Sequence, residues 1–337
     1  MAKGKTKKSR WHRVRKWWRK RTRPLRHWGV YALARAAFWA LNLLPVDTAA
    51  QVGELLGGAA YWVMPRLRGL ALRNLELVGG ARLTPRRRRK IARACFRNAG
   101  RGLAEMMTAH RWGRDGVLRR IQFKGPKTLA DYQKEYGSVM VVGAHYGAWE
   151  FGCLYAYTAW GVPSVAVVRE LNNPWLERWI RRWRAQFGMT VLHRGQAGLG
   201  LFRQVRQGRV LAMLVDQFIE GPGVQLPFLG RPAHTYLGPA LIAQRFKGRI
   251  LTGFVYRRAD KSLVFEVNDL TMPENCGDGE PGAIAIAAAM NDAISRIIER
   301  DPTQWMWFHD RWRPPKKKHR RAATPPASPD PALNVNN

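Results

Sequence analysis

Protein nucleophiles of the usual kinds are scarce in this chain. Only six serines occur among 337 residues, and none lies in a Gly-x-Ser-x-Gly frame, which excludes a nucleophile elbow. The three cysteines, Cys95, Cys153 and Cys276, are far apart, form no Cys-x-x-Cys pair and match no zinc spacing. A disulfide-stapled secreted fold is therefore excluded, and a reduced chain facing the cytosol is the plain expectation. There is no Walker loop, no His-Glu-x-x-His and no Gly-x-Gly-x-x-Gly after a strand, so neither a metal nor another cofactor is expected. Acid is also scarce: 23 Asp and Glu face 58 Lys and Arg, a net charge of +35, and the first 28 residues contain no acid at all.

A surface this positive seeks polyanions, which leaves nucleic acid, an anionic membrane or acidic substrates and carrier proteins. In residues 1–28 the basic residues alternate with Trp11, Trp17, Trp18 and Trp28. Trp favours the headgroup layer and Lys/Arg favour anionic lipid, so this segment reads as a basic tail at a membrane surface. Residues 29–46 are nearly all apolar, with Arg35 as the one charge, and residues 52–64 are apolar again but for Glu54 after a break at Pro45 and Asp47. A full span needs roughly 20 apolar residues, and both arms are short for that. The tail and the stretch PRLRGLALRN after Met64 are both basic and belong on the cytoplasmic side, so a shallow hairpin or interfacial anchor is expected, with a single tilted span over 29–46 and the tail outside as the competing topology.

Residues 66–121 read as basic helices. Thr84 followed by Pro85 marks one helix start, and Ile91, Cys95, Phe96, Leu103, Met106 and Met107 recur at helical spacing. From about residue 122, strands alternate with helices. Strands are expected at 138–144, 164–168, 190–193, 210–216, 249–257 and 262–269, and helices at 146–160, 173–188, 198–208, 236–246 and 282–300, with a loop over 217–235. That alternation predicts an α/β fold, a mostly parallel mixed sheet flanked by helices on both faces.

Two buried strands end on chemistry-bearing groups. His145 follows one and Asp216 follows another, at the edge where α/β sheets bind ligands. Glu150 lies five residues after His145; on one helix such a pair would diverge by about 140°, so it is no metal pair. Across a loop–helix junction, however, Glu150 can fold back and fix the imidazole tautomer, leaving the other ring nitrogen as general base. With no protein nucleophile in view, that base would deprotonate a substrate hydroxyl. Arg169 ends a third strand, and Cys153 inside an apolar helix is expected to be inert.

His145–x₄–Glu150 after a strand, then VVRELNNPWLERWI, QGRVLAMLVDQ, PFLGRPAHTYLGPALIAQRFKGRIL and PTQWMWFHDRW, occur in this order, preceded by ALNLLPVDTAAQVGELLGG and RNLEL. Together they resemble the bacterial lipid A biosynthesis acyltransferases of the late, lauroyl/myristoyl type, over residues 28–314. The resemblance implies a glycerolipid-acyltransferase-like fold with N-terminal apolar membrane-anchoring helices. It divides the chain into a tail at 1–28, anchor helices at 29–65, an acyltransferase domain at 66–313 and a disordered basic, Pro-rich tail at 314–337. It implies acyl transfer from acyl carrier protein to a hydroxyl of a phosphorylated glycolipid at the cytoplasmic face of the inner membrane. His145 would be the base, Glu150 its partner, and Arg184 and Asp216 further active-site residues; Arg169, Asn173 and Gln217 would bind substrate. A phospholipid or a mannosylated lipid is the alternative acceptor. A nucleic-acid-binding protein would explain the charge but neither the His/Glu pair nor the apolar arms, so no nucleic acid is expected.

Overall fold

The computed structural model describes residue 18 and residues 21–193, 198–246, 248–272 and 276–316. The basic tail up to residue 17 and the Pro-rich tail from residue 317 thus lie outside the described residues. Four long helices come first: α1 (Arg23–Asn42), α2 (Val46–Val63), α3 (Pro65–Gly79) and α4 (Pro85–Thr108). The α/β part follows as α5 (Gly113–Arg120), β1 (Ile121–Lys124), α6 (Leu129–Tyr136), β2 (Val139–Gly143), α7 (Phe151–Trp160), β3 (Ser164–Val168), α8 (Pro174–Gln186), β4 (Met189–His193), α9 (Leu199–Arg206), β5 (Val210–Leu214), β6 (Gly223–Phe228), β7 (Arg231–Tyr236), α10 (Gly238–Arg245), β8 (Arg249–Arg257), β9 (Leu263–Asp269) and α11 (Gly279–Arg300).

Seven strands form one sheet in the order β1-β9-β8-β2-β5-β3-β4. The five from β8 to β4 run parallel, while β9 pairs antiparallel with β8 and carries β1 parallel to itself, so the sheet is mixed. The central strands are apolar without interruption because both faces are covered. Met140, Val142, Val165 and Leu211 face a core built with α9, α10 and α11. Val139, Val210, Leu251 and Phe265 face the other way, against α5, α6 and α7.

The apolar arms at 29–46 and 52–64 are helical, but α1 already begins at Arg23, inside the expected tail, and among the described residues no helix is long and apolar enough to cross a membrane. One face of α2 is used inside the protein. Gly53 and Gly57 let its backbone lie directly on α4 at Gly100; a Cβ on Gly57 would stand 2.2 Å from the Phe96 carbonyl oxygen. Glu54 bonds Arg97 and Arg101, Arg101 bonds Glu105, and Glu105 bonds Arg257 of β8, so a buried ionic chain ties α2 and α4 to the sheet. The opposite face of α2 leaves Leu55, Leu56, Trp62 and Val63 exposed. At the start of α4, Thr84 Oγ1 accepts from Arg87 N at 3.3 Å, with Pro85 in the first turn.

Two stretches differ from the sequence expectation. Residues 217–235 are no simple loop: β6 and β7 form an antiparallel hairpin whose turn holds Leu229 and Gly230 at φ +50° and +71°. Pro227 stands opposite Pro232, and prolines together with a leucine in the left-handed region hide a hairpin from pattern reading. The helix expected from 146 begins only at Phe151. Gly147 has φ +57°, and the N–H groups of Gly147 and Ala148 donate to the Gln304 and Val255 carbonyls, so 146–150 is a turn clamped between β8 and the C-terminal segment.

Candidate active site

Strand register brings the key pair together. Gly143 of β2 lies opposite Leu214 of β5, so two residues further on His145 meets Asp216 across the C-terminal sheet edge. His145 Nδ1 is 2.9 Å from Asp216 Oδ1, and the His145 backbone N–H donates to Oδ2 at 3.1 Å. Trp305 Nε1 donates to the same Oδ2 at 2.9 Å. Asp216 is 1 % exposed and fully engaged, whereas the His145 side chain is 22 % exposed and borders a cavity. Nδ1 being held by a carboxylate, Nε2 is the ring nitrogen left to face that cavity.

Burial alone would depress the His145 pKa, but the Asp216 carboxylate outweighs it and the net shift is upward from 6.5; Glu150 adds to the rise and Arg184 opposes it. Burial likewise works against the Asp216 charge, yet His145, Trp305 and the backbone N–H together hold its pKa below the ordinary carboxylate value. The two groups thus stabilise each other's charged forms.

Glu150 does not partner His145 as expected from the sequence. Its carboxylate is gripped by Arg184 of α8, with Nη2 at 2.5 Å from Oε1 and Nε at 3.2 Å from Oε2. The turn at Gly147–Ala148 is the reason: it swings Glu150 to the cap position of α7, away from the imidazole edge that Asp216 occupies. Glu150 and Arg184 nonetheless line the same cavity as His145, as do Arg169 and Gln217. Asn173 does not line it. Its Oδ1 caps α8 by accepting from Trp175 N and Leu176 N, and its Nδ2 donates to the His27 carbonyl of α1, so its polar atoms serve the scaffold.

The cavity measures about 820 Å³, within the range of small-ligand sites. Same-face residues of β2, β5 and β3 form its wall in rows set by register: Gly143, Leu214 and Val168; then Val141, Ala212 and Ala166; then Val210 and Ser164. From the first row to the last is about 13 Å along the strands. Gly152, Cys153 and Ala156 of α7 form the facing wall, and small residues on both sides leave the space open. The result is a deep, mostly apolar slot with His145, Glu150 and Arg184 at its mouth. Burial pushes the Cys153 thiol up to about 11, which keeps it protonated. Among the described residues no group of three or more His, Cys, Asp or Glu is placed to hold a metal ion.

Sequence reasoning missed two members of this site, Trp305 and His309. Trp305 fixes Asp216, and His309 Nε2 accepts the Phe218 N–H at 2.9 Å while its ring borders the cavity. Both lie in the stretch PTQWMWFHDRW, which bridges Tyr146 to Trp305 and is pinned to α3 through Asn74. Its position in the chain carries no hint of this, since 89 residues separate Trp305 from Asp216.

An imidazole at the cavity, backed by a buried carboxylate, beside a deep apolar slot suits deprotonation of a hydroxyl next to a long aliphatic group. The chain is 28 % identical over 297 residues to a lipid A biosynthesis lauroyltransferase of Escherichia coli (strain K12), covering 86 % of this chain and 92 % of that protein. It is 26 % identical to a lipid A biosynthesis palmitoleoyltransferase of the same strain, with the same shares covered. A lipid A biosynthesis acyltransferase of Haemophilus influenzae is 23 % identical over 86 % of this chain and 91 % of its own length. The family model described as bacterial lipid A biosynthesis acyltransferase matches residues 16–314, most of the chain, and this protein is accordingly an enzyme of that acyltransferase family.

Proposed function

We propose that this enzyme moves a fatty acyl chain from an acyl carrier protein thioester to a hydroxyl of a phosphorylated lipid A precursor, at the cytoplasmic face of an inner membrane. One observation carries the reading: His145, backed by the buried Asp216, stands at the mouth of an apolar slot about 820 Å³ in volume.

The chemistry runs without a protein nucleophile. The acyl chain occupies the slot between the β2–β5–β3 face and α7, with the thioester carbonyl at its mouth. His145 Nε2 accepts the proton of the acceptor hydroxyl while Asp216 holds Nδ1–H and stabilises the imidazolium. The hydroxyl oxygen bonds to the carbonyl carbon, and the tetrahedral oxyanion needs a donor. The N–H groups of His145, Tyr146, Gly147 and Ala148 are all committed within the protein, to Asp216, Ala144, Gln304 and Val255. Arg184 uses Nε and Nη2 on Glu150, which leaves Nη1 for the oxyanion, a role worth about 10²–10³ in rate when one such donor is lost. The intermediate collapses with cleavage of the C–S bond, and His145 returns the proton to the departing thiolate. Glu150 acts through Arg184, holding the guanidinium in place and adding negative charge near the imidazole. Arg169 and Gln217 line the cavity, and in this reading they meet phosphate and sugar oxygens of the acceptor.

Purified protein incubated with acyl carrier protein thioester and a lipid A precursor should add the mass of one acyl chain to the precursor. No product with the lipid A precursor, but acylation of a phospholipid or mannosylated lipid, would replace the acceptor and keep the chemistry. No transfer to any lipid would overturn the reading.

A further inference from the structure

A second cavity, about 770 Å³, lies between α2, α4 and the β8–β9 turn and shares no lining residue with the catalytic slot. Arg86, Arg89, Lys90, Arg93 and Arg97 project into it from one side of α4, spaced along about 16 Å of helix. Arg258 and Lys261 close it from the turn. Its two acids are already used: Glu54 bonds Arg97 and pairs with Lys261, and Asp301 accepts from Thr303 and Gln304. Arg86, Arg89, Lys90 and Arg93 have no acidic partner among the described residues, while Arg258 lies near Asp260. Four uncompensated cations along one hollow repel each other unless an anion joins them.

Beside this hollow stands the face of α2 that the protein leaves uncovered. Trp62 lines the rim and is 60 % exposed; Leu55, one helical stripe with it, is 70 % exposed, and Val63 75 %. Exposed leucine, valine and tryptophan beside a row of unpaired cations is the pattern of a helix pair resting on anionic lipid, with the apolar stripe below the headgroups and the cations among the phosphates. An acidic protein would satisfy the cations but would leave the apolar stripe unexplained. We propose that the α2–α4 groove is a binding site for phosphate headgroups of anionic phospholipid in a bilayer, separate from the acceptor site. The groove sits at the same sheet edge as His145: Gln304 lines it, and the next residue, Trp305, holds Asp216. Bound in this way, the enzyme meets the membrane beside its catalytic slot.

The test uses the full chain and vesicles of phosphatidylcholine with or without phosphatidylglycerol. Each cation at an anionic surface multiplies partitioning by roughly five-fold. The double variant Arg89→Gln/Arg93→Gln, which removes two cations, should therefore lose about 25-fold in partitioning to phosphatidylglycerol vesicles and little to the neutral ones. In an otherwise native chain, the photo-crosslinking residue benzoylphenylalanine in place of Trp62 should capture phosphatidylglycerol, and the same residue in place of Arg296 should not. Unchanged partitioning of the double variant, or no lipid captured at position 62, would overturn the proposal. So would a double variant that keeps its vesicle affinity but loses affinity for an acidic acyl carrier protein, since the groove would then be a protein-docking site. None of these readouts uses acyl transfer, so they stand or fall apart from the catalytic reading.

Discussion

Replacing Asp216 by Asn removes a charge while leaving the shape of the site in place. The amide oxygen can still accept from Trp305 Nε1 and from the His145 N–H, two of the three contacts that Asp216 makes. The amide NH₂ then faces His145 Nδ1, where the native carboxylate accepts at 2.9 Å. The ring must answer by presenting Nδ1 as an acceptor, which puts its proton on Nε2, the atom that should receive the substrate proton. A wrong tautomer in an intact frame costs on the order of 10³–10⁴ in kcat. The pH profile moves as well. In the native enzyme the His145 pKa lies above 6.5, so the rate should fall as pH drops through a point above 6.5, where the base becomes protonated. Without the Asp216 charge, burial dominates and the residual activity should keep its plateau to lower pH. The assay is thiol release from the acyl thioester across a pH series, with circular dichroism as the check on folding. A folded Asp216→Asn enzyme within a few-fold of native turnover, or one whose acid limb stays where it was, would refute the reasoning.

Glu150→Gln should cut turnover by about 10²-fold through a misplaced Arg184, and should lower the acid limb by less than Asp216→Asn does, because Glu150 contributes less than Asp216 to the His145 shift; initial rates across pH measure both. Ala166→Leu adds three carbons in the middle row of the slot and should shift preference to shorter acyl chains, read by mass spectrometry of products from competing thioesters. Gly57→Ala drives a methyl against the Phe96 carbonyl where α2 crosses α4 and should destabilise the fold by about 1–3 kcal/mol, seen as a lower melting temperature with the catalytic slot unaltered.

What was legible in the sequence follows from how local the signal is. The parallel α/β sheet showed itself because each buried strand is a short unbroken apolar run next to an amphipathic helix, and His145 and Asp216 stood out as polar groups at the ends of such runs. Which carboxylate meets the imidazole was not legible. The five-residue spacing of His145 and Glu150 is a property of the chain, while the meeting of His145 and Asp216 depends on β2 and β5 being neighbours in register, and strand order is not written in either segment. Asn173 went the other way: Asn-Pro before an amphipathic stretch is a plain helix-cap signal, and the side chain does serve as the cap. The arm at 52–64 was only half legible. Its leucines and tryptophan suggested a membrane, and they are exposed on one face of α2; the close packing of Gly53 and Gly57 on α4 was not read from the sequence and comes from the structure.

The central claim is that His145 is the base that accepts the acceptor's proton. The most direct measurement is the single-turnover rate of acyl transfer by purified His145→Ala enzyme against native enzyme, with acyl carrier protein thioester and lipid A precursor both saturating. Loss of a general base should lower that rate by about 10²–10⁴-fold with melting behaviour intact and no acyl group bound covalently to the protein. A His145→Ala enzyme that transfers at near-native rate, or an acyl-enzyme trapped on Cys153, would contradict the claim.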